Sequence, residues 1–124
     1  MGNQVAHFEI VGADPAALRE YYGQLFGWEY SVGGAVHPQV SADDQYGFVD
    51  ASSAGINGGV CGGAGYAPHV LFYVGVDSVE AALADAERLG GTRQFGPLVS
   101  AAGDFAVGQF ADPEGNIVGV AGGA

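Results

Sequence analysis

Two halves of this chain follow one plan, and that duplication constrains the fold more than any other feature. Val5-Ala6-His7-Phe8-Glu9-Ile10-Val11 precedes a helix start at Asp14; Ala67-Pro68-His69-Val70-Leu71-Phe72-Tyr73-Val74 precedes another at Asp77. Each half closes on a Gly-Val-x-Gly-Gly run, at residues 59–63 and 119–123. A repeat of about sixty residues is too long for a solenoid unit and too short for an ordinary domain. It implies one domain, residues 1–124, built from two copies of a supersecondary module, 1–63 and 64–124. The repeat also aligns two histidines, His7 with His69, and two glycines, Gly59 with Gly119.

Composition narrows the function. With 48% hydrophobic residues, the chain can build a core. Its 23 glycines punctuate apolar segments, so they read as turns and close strand contacts rather than disorder. A formal charge of -11, with only three Lys and Arg, repels phosphate backbones and anionic lipid. Nucleic acid and membrane surfaces are therefore not expected partners. The single cysteine, Cys61, excludes an internal disulfide and a cysteine-based zinc site. No leader and no bilayer-length apolar run is legible, so the cytoplasm is the expected compartment.

The local pattern gives a strand over 7–11, then a helix opened by Asp14-Pro15. Leu18, Tyr21, Tyr22, Leu25 and Phe26 form its apolar stripe, and Gly27 ends it. Strands follow at 28–32, 46–51 and 56–61, with a polar, mobile loop over 33–45 that holds His37 in solvent. The second half gives a strand at 70–76 and a helix capped at 77–80, whose stripe is Val79, Ala82, Leu83 and Ala86. Strands at 92–98, 104–111 and 116–121 complete it, with a type I turn at 112–115. The plan is strand, helix, three strands, twice. No nucleophile elbow, phosphate loop or zinc motif is present.

Strand alternation sets the faces. His7, Glu9 and Val11 share one face, and Phe8 and Ile10 pack under the helix. His69, Leu71 and Tyr73 likewise oppose Val70, Phe72 and Val74. The expected core is Phe8, Ile10, Leu18, Tyr22, Leu25, Val70, Phe72, Val74 and Leu83. Cys61 falls on the face of Gly59 and reads as a small buried apolar residue. Glu9 is either a general base with a raised pKa or a carboxylate that pairs with Arg19 or Arg93 or sits at a wet rim. The second of these is the simpler reading.

His7-Phe8-Glu9-Ile10 with Tyr21-Tyr22-Gly23-Gln24-Leu25-Phe26-Gly27-Trp28, and Ala111-Asp112-Pro113-Glu114-Gly115-Asn116 near the end, resemble the vicinal oxygen chelate superfamily. Its members include glyoxalase I, extradiol dioxygenases, fosfomycin-resistance enzymes and bleomycin-binding resistance proteins. The resemblance covers essentially the whole chain. It implies an α+β fold of two βαβββ modules forming a cupped eight-stranded sheet, and a homodimer. Metal-dependent members place ligands on the first and last strand of each module. Carried over, these positions are His7 and His69, then Gly59 and Gly119 where a carboxylate is usual. Two imidazoles alone leave a divalent site under-ligated. The expectation is no resident metal, with His7 and His69 the ligands were one bound. On the same alignment, Gly59→Glu with Gly119→Glu would raise metal affinity.

Two classes stay open. One is a binding module for an apolar or aromatic small molecule, its metal site degenerate, lined by His7, Glu9, Gly59, Cys61, His69, Leu71, Tyr73 and Gly119. The aromatics Trp28, Tyr46 and Phe48 add to that reading. The other is a lyase, isomerase or dioxygenase that uses the histidine pair, with Glu9 catalytic. Fold alone does not choose between them.

Overall fold

The computed structural model describes residues 2–34 and 36–124. Eight strands and three helices are formed among them, an α+β architecture, and they fall into two compact units.

The first unit, His7–Val70, contains most of β1 (Val5–Gly12), then α1 (Pro15–Phe26), β2 (Ser31–Val32), β3 (Gly47–Val49), α2 (Ala51–Ala54) and β4 (Asn57–Gly62). Its strand order is β2-β3-β4-β1, with β1 parallel to β4 and the other pairs antiparallel. Asp14 caps α1 by accepting from Ala17 N–H at 3.1 Å, and Pro15 starts the helix, which has no use for a proline N–H there. Gly27 ends it at φ 74. Asp50 caps α2, a short helix that interrupts the strand expected over 46–51. The strand expected at 28–32 shrinks to two residues. Trp28 turns instead onto Phe8, Tyr22 and Phe26, with ring centroids 5.2, 5.8 and 5.3 Å away.

The second unit, Leu71–Ala124 with the residues up to Ala6, holds most of β5 (His69–Val76), then α3 (Val79–Arg88), β6 (Thr92–Val99), β7 (Ala106–Ala111) and β8 (Ile117–Gly122). The order is β5-β8-β7-β6, again with one parallel pair, β5 and β8. Gly75 N–H donates to Gln4 O, and Asn3 Nδ2 donates to Gly75 O, which ties the N-terminal residues to this unit. The cap of α3 is Ser78, not Asp77: its side chain accepts from Ala81 N–H at 3.2 Å. Glu80 does not reach back to that cap. It pairs with Arg93 at 2.7 Å, and Glu87 joins the same guanidinium.

The core of the second unit is Val79, Leu83, Ala106 and Val120, with Val76, Ala82 and Phe110 packed on it. Gly96 and Gly108 make room for Leu83, whose Cδ1 lies 3.3 and 2.7 Å from where their Cβ atoms would stand. Of the expected core, Leu83 is fully buried, and Phe8, Ile10, Leu18, Tyr22 and Val74 are half-buried. Leu25, Val70 and Phe72 are exposed by 57%, 68% and 43%. The reason is helix placement. α3 packs mainly on β6, β7 and β8 and reaches the Phe72 face of β5 at its end, Val76, which leaves Phe72 outside its cover. Val70 lines an open apolar groove of about 610 Å³ with Ile10, Leu18, Tyr21 and Tyr22. The buried face of β5 is the alternate one, Leu71 and Tyr73.

Candidate functional site

In the first unit, Glu9 lies in the middle of β1, opposite Gly59 of the parallel β4. It is only 4% exposed. A carboxylate so placed needs hydrogen-bond donors to offset its desolvation. Tyr46, at the start of β3's approach, supplies one: its hydroxyl donates to Glu9 Oε2 at 2.8 Å. The Tyr46 hydroxyl oxygen also lies 2.7 Å from His7 Nε2. A phenol has one proton, and here it points to Glu9, so His7 must donate through Nε2–H. Burial lowers the His7 pKa and so favours the neutral ring, whose Nε2–H tautomer satisfies this chain of bonds. The result is an ordered series: imidazole N–H to phenol oxygen, phenol O–H to carboxylate.

The loop that delivers Tyr46 is pinned rather than loose. Buried Ser41 accepts from Gly62 N–H at 3.0 Å, and Ala42 N–H donates to Gly62 O. Arg19 Nη1 donates to Gln45 O at 3.0 Å, one residue before Tyr46. Arg93, the other cation considered for Glu9, is engaged by Glu80 and Glu87. Cys61 is fully buried beside this site. Burial pushes its thiol pKa up, and the Glu9 charge adds to that, so it stays a thiol and is no nucleophile.

Glycine 59 is what makes this packing possible. A Cβ there would meet the Tyr46 ring at 2.2 Å. The second unit repeats the device with another tyrosine. Tyr73 is opposite Gly119 in the β5–β8 register, and a Cβ at Gly119 would meet its ring at 2.2 Å. Tyr73 is 2% exposed, and its hydroxyl accepts from Gln109 Nε2 at 2.7 Å.

These registers correct the histidine alignment. Glu9 faces Gly59 and Tyr73 faces Gly119, so Glu9 and Tyr73 are equivalent. The residue equivalent to His7 is then Leu71, buried at 4% exposure, while His69 stands two residues earlier. His69 is exposed at the first position of β5, its Nδ1 donating to Ala67 O at 2.9 Å. The slip is by two residues, which keeps the face and misplaces the side chain. Within the first unit, His7, Glu9, Gly59 and Cys61 come together, and His69 does not join their hydrogen bonds. Leu71, Tyr73 and Gly119 belong to the second unit. Tyr46 was visible only as one aromatic among several; its position four residues past Ala42 carries no motif that marks it as the partner of Glu9.

A resident metal does not fit these residues. The last-strand positions offer no donor and are covered by rings, and the two histidines are not equivalent. Among the described residues no three His, Cys, Asp or Glu side chains cluster as a metal would require. The substitution of glutamate at Gly59 and Gly119 would drive side chains into Tyr46 and Tyr73 rather than build a site.

A model of the glyoxalase-like domain matches residues 8–121. The chain belongs to the glyoxalase-like domain family. Solved structures of an epimerase and a dioxygenase share its fold. Methylmalonyl-CoA epimerase from Streptomyces coelicolor, in complex with 2-nitronate-propionyl-CoA, superposes with TM-score 0.65 at 17% identity, covering 98% of this chain and 95% of the epimerase. The methylmalonyl-CoA epimerase of Mycobacterium tuberculosis gives TM-score 0.65 at 11% identity, covering 97% and 87%. The 2,3-dioxygenase LapB from Pseudomonas sp. KL28 gives 0.55 at 18% identity, with 98% of this chain on 43% of the dioxygenase. At such identities the likeness is one of fold. No curated protein sequence matches the chain. No helix among the described residues is long and apolar enough to cross a membrane.

Proposed function

We propose that this glyoxalase-like protein binds an apolar or aromatic small molecule without a metal, at the site built by His7, Glu9, Tyr46 and Gly59. The observation that carries this reading is the pairing of a glycine floor with an ordered polar series above it. An apolar surface with a few fixed polar groups is the usual form of a small-molecule site. The two last-strand positions that hold metal ligands in metal-dependent relatives, Gly59 and Gly119, are here covered by tyrosine rings, which supports sequestration over metal chemistry. The protein we envisage is a cytoplasmic homodimer. α1 exposes Tyr21, Leu25 and Phe26, an apolar surface suited to a second copy.

A second reading rests on one specific feature. Glu9 is a buried carboxylate with one oxygen fixed by a phenol, an arrangement that suits a general base aimed by its neighbour. The neighbours in fold include an epimerase and a dioxygenase, so an enzymatic role for Glu9 is the alternative.

A screen of planar aromatic and polyketide-like compounds by chemical-shift mapping separates these readings. Hits should perturb His7, Glu9 and Gly59 and raise the thermal midpoint as ligand concentration rises. Binding without turnover supports sequestration. Turnover that Glu9→Gln abolishes while binding persists supports the enzyme. Hits confined to the groove between α1 and Val70 would contradict both.

A further inference from the structure

Tyr46 lies over Gly59 as a bound molecule would. Its ring fills the space in which a side chain at position 59 would begin. Its hydroxyl is held on two sides, by Glu9 Oε2 at 2.8 Å and His7 Nε2 at 2.7 Å. The imidazole plane is only 24° from that of the phenol ring, with centroids 6.4 Å apart.

We infer that Tyr46 is a stand-in for the ligand, and that the site selects a phenol, whose ring takes the Tyr46 place on Gly59 and whose hydroxyl takes over both hydrogen bonds. The inference rests on the small-molecule reading above and names its ligand class. The chemistry of the two partners does the selecting. Glu9 accepts, so the ligand atom must carry a proton. His7 donates, so the same atom must also accept. An ammonium cannot accept, and an ether or ketone cannot donate. A carboxylate ligand would meet the Glu9 charge. An aliphatic alcohol satisfies both partners but leaves the flat space over the glycine unfilled, and packing there needs a ring. The Tyr46 backbone need not move for the exchange. Its carbonyl accepts from Gly33 N–H, the preceding carbonyl is held by Arg19, and β3 begins one residue later at Gly47. Only the side chain has to turn out.

The test titrates the wild-type chain and Tyr46→Ala with 4-methylphenol, toluene and 4-methylanisole, read by amide shifts at Glu9 and Gly59. In Tyr46→Ala, 4-methylphenol should bind about tenfold more tightly than either other probe, the worth of a hydrogen bond to a buried charged group. It should also restore part of the lost thermal midpoint. In wild type it should bind more weakly and shift the Tyr46 ring signals, which toluene should leave in place. Equal binding of all three probes at Gly59 would overturn the phenol assignment and leave the small-molecule site standing. Shifts at neither residue, in either protein, would overturn both. If Tyr46→Ala does not fold, the wild-type arm decides alone: Tyr46 ring signals moved by 4-methylphenol and not by toluene sustain the assignment, and any other pattern sinks it.

Discussion

Gly122→Ala is expected to destabilise the protein by about 4 kcal/mol, while Gly75→Ala on the adjacent strand stays within about 0.5 kcal/mol of wild type. Both glycines lie in the parallel β5–β8 pair, Gly122 opposite Val76 and Gly75 opposite Ala121. Their surroundings differ. Gly122 has φ 153, and a Cβ there would stand 1.8 Å from the Val76 carbonyl oxygen. That neighbour is backbone in a paired strand, so relief requires the strands to part. Backbone strain of about 1–3 kcal/mol adds to overpacking of similar size. At Gly75 the nearest atoms to an added Cβ are 3.8 Å away, an ordinary contact. Urea unfolding of the two variants should show a large fall in midpoint for the first only, with unchanged slope. Equal, small effects would mean that β8 does not sit against β5 as described.

Leu83→Ala should cost about 2–5 kcal/mol, the ordinary range for an aliphatic side chain removed from a closed core. Leu83 is fully buried on α3 among Val79, Ala106 and Val120. Its Cδ1 reaches the backbone of Gly96 and Gly108, two glycines whose lack of a Cβ is matched to it. Those glycines cannot close the void by bringing in side chains of their own, so the upper half of the range is expected. Calorimetry or urea unfolding reads this directly. A loss below about 1 kcal/mol would contradict the packing of α3 on β6 and β7.

The duplication, the element order and the α+β architecture were legible in the sequence because they rest on caps, periodicity and glycine punctuation. Asp14-Pro15 and Gly27 mark α1 unambiguously, and Leu83 falls on the buried stripe of α3. What alternation could not supply was register. Histidine matched to histidine looks like homology between the halves, yet the strand pairs match Glu9 to Tyr73. A shift of two residues leaves every face unchanged, so no hydrophobic pattern opposes it. Val70 and Phe72, expected in the core, are exposed for a related reason. A sequence shows which face of a strand is apolar, and not which strands a helix covers; α3 packs on β6, β7 and β8. Alternation marks Glu9 as a carboxylate in need of a partner, but points to Arg19, Arg93 or a wet rim rather than to Tyr46. That partner came from 37 positions away, on a loop whose residues carry no period. In the sequence alone, Gly59 and Gly119 are positions lacking a metal ligand. The structure adds the physical content: each is the floor on which a tyrosine lies.

A site organised by a phenol on a glycine leaves no place for a metal. Elemental analysis of the untagged protein after dialysis, followed by thermal unfolding with and without chelator, is the decisive measurement. It should find no stoichiometric zinc, nickel, iron, manganese or cobalt, and a midpoint that chelator does not move. One equivalent of metal that survives dialysis, stabilises the fold and is lost in His7→Ala would contradict the metal-free site.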